Sequence, residues 1–244
     1  MPLELFYIIL FIVAFLYSAV GHGGASGYLA LMAIYGVAPE EMKPTALMLN
    51  LFVSLTSFIQ YYRGRHFKLP LFIPLAATSV PFAFIGGMIT LESALYKRIL
   101  GVLLLIPVVR FFFFKNVADN ELKRHNIAVA IIIGAIIGLM SGMIGIGGGI
   151  ILSPILLLLN WTNQKQTAAI SALFIFVNSI AGLLGQFTKG VTFTPNMAMY
   201  VAVAFTGGLL GAYLGSLKLN QNILKYTLAT VLLVASYKLL LTTA

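Results

Sequence analysis

The stretch Gly134-Ala-Ile-Ile-Gly138-Leu-Met-Ser141-Gly142-Met-Ile-Gly145-Ile-Gly147-Gly148-Gly149-Ile-Ile-Leu-Ser-Pro154 decides the fold. Its first half reads as a helix with a glycine every fourth residue, and residues four apart share one helix face. Its second half cannot stay helical cheaply, because each glycine weighs about 1 kcal/mol against a helix relative to alanine. Both flanks are apolar enough to lie in lipid. A helix interrupted inside a membrane frees backbone N–H groups that must find a partner there, and those groups can hold a ligand.

Composition sets the solvent. Of 244 residues, 60% are hydrophobic and only 9% are charged, with a mean hydropathy of +1.01. That leaves too little polar surface to cover a water-soluble globule. Many apolar runs approach the roughly 20 residues a bilayer requires, so the chain reads as an all-α polytopic membrane protein with no soluble domain. The first run lacks the basic start of a cleaved signal and is expected to be retained. With no cysteine, thiolate zinc, iron–sulfur clusters and disulfides are excluded. The net charge of +9 sits in loops between apolar runs, where it signals topology rather than nucleic acid.

The same plan occurs twice. Residues 3–20 form an apolar helix that meets Gly21-His22-Gly23-Gly24, followed by a short run from Ala25 to Tyr35. A loop leads to Pro44, which is suited to begin a helix to Tyr62. Next come a basic loop at Arg63, Arg65, His66 and Lys68, a proline-bearing span from Leu69 to Thr90, and a span from Ile99 to Phe114. After a polar segment, Ile127–Ile144, the glycine break, Ile150–Leu159, Thr167–Phe187, Met197–Leu217 and Ile223–Leu241 repeat the order. Gly21-His-Gly-Gly matches Gly145-Ile-Gly-Gly, and Thr45-Ala-Leu, Gln60 and Arg63-Gly64 match Ser171-Ala-Leu, Gln186 and Lys189-Gly190. The expected division is residues 1–114, a cytoplasmic linker at 115–126 and residues 127–244. Each repeat holds a broken or re-entrant helix pair plus three transmembrane helices. Either form gives an odd number of crossings, so the repeats are inverted. Placing the Arg63–Lys68 loop in the cytoplasm puts ten Lys/Arg inside and five outside (43, 97, 98, 189 and 238), which sets both termini outside.

Each glycine break exposes the N-terminus of a half-helix, where free N–H groups and a partial positive charge suit an anion; the bland alternative is a packing kink. Gly145-Ile-Gly147-Gly148-Gly149 resembles a dinucleotide loop superficially, but it lacks the preceding strand and the acid that follows. His22 is the histidine far from any charged loop and is the candidate to carry a proton; otherwise it is neutral and bonded to a carbonyl. Asn50, Ser54, Ser57 and Tyr61 share one face of the third helix, as do Thr167, Ser171, Asn178, Gly182 and Gly185 of the eighth. Ser26, Thr45, Asn50, Ser141, Ser171 and Asn178 therefore join Gly21, His22, Gly23, Gly24, Gly145, Gly147, Gly148 and Gly149 as candidate binding residues. Buried serines and asparagines also glue helices together. Gly134, Gly138 and Gly142, like Gly207, Gly211 and Gly215, read as close-packing faces. No catalytic constellation or metal cluster is apparent, no cofactor is called for, and no Walker motif supports ATP hydrolysis.

The broken repeats, with Ser141-Gly-x-x-Gly145-x-Gly147-Gly148-Gly149 ahead of Pro154, resemble the TauE/SafE sulfite exporter family across essentially the whole chain. The resemblance implies a secondary carrier in the cell membrane for sulfur-containing anions such as sulfite, thiosulfate or organosulfonates. It points to Gly145, Gly147, Gly148 and Gly149, and to Gly21, Gly23 and Gly24 in the first copy. Ala25 stands opposite Gly149 and makes that copy less complete. The expected function is export of a small sulfur anion by alternating access around a midplane site, with protons as a candidate coupling ion. An anion channel and a non-transporting subunit that docks a partner are the alternatives. Oligomeric state is not legible.

Overall fold

The computed structural model describes residues 3–19, 24–113, 122–191, 194–215 and 221–241, and everything described is helix or connection. The order is α1 (Leu3–Ala19), α2 (Ala25–Ile34), α3 (Pro39–Arg63), α4 (Leu69–Met88), α5 (Ser93–Phe113), α6 (Ile127–Ile144), α7 (Gly149–Leu158), α8 (Gln164–Phe187), α9 (Pro195–Gly215) and α10 (Gln221–Leu241). The helices fall where the apolar runs predict them, with two corrections. α3 starts at Pro39, not Pro44, because Pro39 itself takes the first helical position; Pro44 then lies one turn inside, where the hydrogen bond it removes would go to Glu40 in the first turn. α5 starts at Ser93, six residues before Ile99. Gly21, His22, Gly23 and most of the 115–126 linker lie outside the described residues.

Among the described residues, α3, α4, α6 and α8 are long and apolar enough to cross a membrane. α2 and α7 have 10 residues each. At about 1.5 Å per residue each reaches roughly halfway through a hydrocarbon core of about 30 Å.

Glycine faces set the closest pairings. Methyl groups on Gly134, Gly138 and Gly142 of α6 would collide with the backbone oxygens of Leu75, Ser79 and Ala83 on α4. The register advances in step, so α4 and α6 run parallel with backbones in contact. Gly207 and Gly211 of α9 meet the carbonyls of Phe11 and Phe15 on α1 in the same way. Both are small-residue contacts of the kind that join helices in lipid. The central pair, α3 and α8, is antiparallel: Leu47 lies against Gly182, and Asn50 meets Ser179.

Large apolar side chains face outwards, and the exposed ones outnumber what a water-facing surface would carry. Ile8, Ile12, Ile73, Ile85, Ile132, Ile136 and Val234 are exposed on the perimeter, while Thr45, Asn50, Ser54, Ser141, Thr167, Asn178 and Ser179 are buried. An apolar perimeter, with small polar side chains set into a mainly apolar interior, matches a bilayer as solvent.

Candidate functional site

α6 stops because Gly145 takes a left-handed conformation (φ 87°, ψ 17°) while its N–H still donates to the carbonyl of Ser141 at 2.8 Å. Gly147 and Gly148 are also left-handed, at φ 71° and 78°, a region open to glycine and costly for other residues. Gly148 caps the start of α7, and its carbonyl accepts from Ile151 and Leu152 at 3.1 and 3.0 Å. Residues 144 to 149 are buried throughout. The N–H groups of Ile146, Gly147, Gly148 and Gly149 find no backbone acceptor among the described residues. A buried run of free donors at the positive end of a helix suits an anion.

The break lies against the middle of α3 and α8. A methyl group on Gly147 would sit 2.7 Å from Ile175 Cγ2, 2.8 Å from Asn50 Nδ2 and 3.3 Å from Ser179 Oγ; one on Gly148 would sit 2.8 Å from Ile137, 2.9 Å from Phe174 and 3.4 Å from Ser141 Cβ. Asn50 Nδ2 reaches Ser179 Oγ at a long 3.4 Å. Asn50 Oδ1, Ser141 Oγ, Thr45 Oγ1 and Asn178 Oδ1 are buried without any hydrogen-bond partner. Each such atom costs about 1–3 kcal/mol in a folded protein when it stays unpaired; the two hydroxyls can turn to donate to an anion, whereas the two amide oxygens can only accept.

Other candidates are engaged in bonds between helices or within one. Ser171 Oγ lies 2.8 Å from Ser153 Oγ, tying α8 to α7, and Ser26 Oγ lies 2.8 Å from the Tyr17 hydroxyl, tying α2 to α1. Asn178 Nδ2 donates to Phe174 O at 2.8 Å, and Ser54 Oγ donates to Asn50 O. At the first break, Gly24 precedes α2 with an ordinary φ of −77°, and the ring of Tyr28 folds back against it. The Tyr28 hydroxyl is buried without a partner.

Three contributors escaped the sequence reading. Ser179 meets Asn50 although the polar face counted on α8 runs through Asn178. Phe174 and Ile175 wall the break, yet in sequence they are indistinguishable from lipid-facing residues. The α3 and α8 register, not any motif, brings them in. Among the described residues no group of three or more His, Cys, Asp or Glu side chains could hold a metal.

A family model described as Sulfite exporter TauE/SafE matches residues 6–239. A Sinorhizobium fredii protein named a probable membrane transporter protein is 33% identical over 240 residues, covering 94% of this chain and 95% of its own. Similarly named proteins of Methanocaldococcus jannaschii and Bacillus subtilis are 29% identical over 198 residues (76% and 73% covered) and 24% identical over 238 residues (90% and 92% covered). No solved structure gives a significant match.

Proposed function

The chain belongs to the sulfite exporter TauE/SafE family of membrane transporters, and from that premise we propose that it exports small sulfur-containing anions such as sulfite, thiosulfate or organosulfonates by alternating access. It is a multi-pass membrane protein, and its family is one of transporters rather than enzymes.

The observation that carries the proposal is the buried glycine break, with unpaired N–H groups beside the orphaned polar atoms of Asn50 and Ser141. Neutral donors suit a substrate that must leave again, since they attract an anion without the deep trap of a buried cation. The Asn50 amide fits this role after a half-turn about its last torsion. Oδ1 would then accept from the Ser179 hydroxyl, and Nδ2 would be free to donate.

Inverted repeats are part of the same reading. In support, α3 and α8 hold equivalent places in the order of elements and run antiparallel, and the α4–α6 pairing has its counterpart in α9–α1. The proposal sets the substrate near the midplane, both termini outside the cell membrane and His22 as the proton carrier. His22→Gln should then flatten the pH dependence of transport, and an unchanged profile would remove His22 from coupling.

Counterflow in liposomes containing purified protein tests the function. Labelled sulfite, thiosulfate or a sulfonate should enter faster when the same anion is loaded inside. Flux without trans-acceleration would make the protein a channel. No flux of any of the three would leave a subunit that docks a partner.

A further inference from the structure

We propose that the cavity between the start of α3 and the end of α8 is a second anion-binding station, set just outside the helix break. It rests on the transport reading only for the identity of the anion. The cavity encloses about 250 Å³, far more than the roughly 10–15 Å³ that one water needs, so an oxyanion fits with part of its hydration. Lys43, Lys189, Gln186, Thr90, Tyr96 and Glu40 stand on its wall. Lys43 Nζ donates to the carbonyl of Ile89 at 3.1 Å, and Lys189 Nζ donates to Thr90 Oγ1. Each ammonium carries three N–H donors, so both retain donors for a ligand.

The decisive group is Gln186. It is 4% exposed, it lines the cavity, and its Nε2 has no hydrogen-bond partner. A buried amide donor beside two ammonium groups suits a small oxyanion, whose several oxygens can accept from all three. Glu40 is the carboxylate on the wall and leaves the lining one positive charge in excess, enough to draw an anion in without holding it permanently.

The cavity also touches the break. The backbone of Lys43 would lie 3.0 Å from a methyl group on Gly145, and the hydroxyl of Tyr96 donates to the carbonyl of Ile144, the last residue of α6, at 2.9 Å. The wall of the station is therefore in contact with the end of α6, where the break begins.

Equilibrium binding of radiolabelled sulfite, and separately of thiosulfate, to purified monodisperse protein tests this. The expected result is two anions per wild-type chain, one per Gln186→Leu/Lys189→Met chain and one per Gly147→Ala chain. A double variant that binds as many anions as the wild type, with unchanged affinity, overturns the station whatever Gly147→Ala does. Loss in the double variant with no loss in Gly147→Ala keeps the station and overturns the site at the break. Wild-type protein that binds neither anion also overturns the station. Should the double variant fail to fold, Lys189→Met alone, at an exposed side chain, is read in the same way, with at least a tenfold loss of affinity at one of two sites expected.

Discussion

The hydroxyl of Tyr96, on α5, donates to the carbonyl oxygen of Ile144, on α6, across 2.9 Å. Ile144 is the last residue before the glycine break, where the helix no longer supplies a donor for its final carbonyls. Tyr96 is 1% exposed, so Tyr96→Phe leaves that carbonyl buried and unpaired. The expected loss is about 1–3 kcal/mol, seen as a lower thermal midpoint of the purified protein. An unchanged midpoint would mean that another donor serves Ile144.

Backbone strain and steric blockage can be separated with two glycines. Gly147 and Gly190 both have positive φ, 71° and 76°, but a methyl group on Gly147 meets Ile175 and Asn50, while one on Gly190 meets nothing within 4 Å. Gly190→Ala should lose about 1–2 kcal/mol of stability from the left-handed conformation and keep full anion affinity. Gly147→Ala should carry the same strain and lose the anion bound at the break, leaving one per chain. Equal affinities in the two variants would reduce the break to a packing element.

Gln186→Leu should stabilise the ligand-free protein. It removes an amide whose Nε2 is buried without a partner, and such a group is costly in a folded state. Thermal melting in anion-free buffer should show a higher midpoint than wild type. A lower midpoint would mean that Nε2 is satisfied, for instance by ordered water.

Orientation is testable because the sequence has no cysteine, which leaves a single introduced thiol unambiguous. Arg63 ends α3 and Thr188 follows α8; both are exposed. An impermeant thiol reagent applied to intact cells should label Thr188→Cys and spare Arg63→Cys. The reverse pattern would turn the protein over in the membrane.

The order of helices was legible because lipid demands long apolar runs, and the second break was legible because the conformation that Gly145, Gly147 and Gly148 adopt is cheap for glycine and costly for most other residues. The start of α3 is ambiguous in the sequence because Pro39 and Pro44 both suit a first turn, and the choice between them depends on packing. The cavity was invisible for a different reason. Lys43 and Gln186 are far apart in the chain, and they meet only because α3 and α8 run antiparallel in one register: passing from Lys43 through Leu47 to Asn50 is matched by passing back from Gln186 through Gly182 to Ser179. Each residue looks ordinary alone. His22, the most conspicuous polar residue in sequence, lies outside the described part.

The parallel α1–α9 contact bears on how the protein is made. Phe11 and Gly207 touch through their backbones although about 200 residues separate them, whereas Ser79 and Gly138 of the α4–α6 contact are about 60 apart. At roughly 5–20 residues per second of synthesis, α4 finds its partner within about 3–12 s, but α1 must wait about 10–40 s with that face on lipid. The opening helix of the chain therefore keeps that face on lipid through most of synthesis, and faults that slow translation after α6 should lengthen its exposure to membrane proteases.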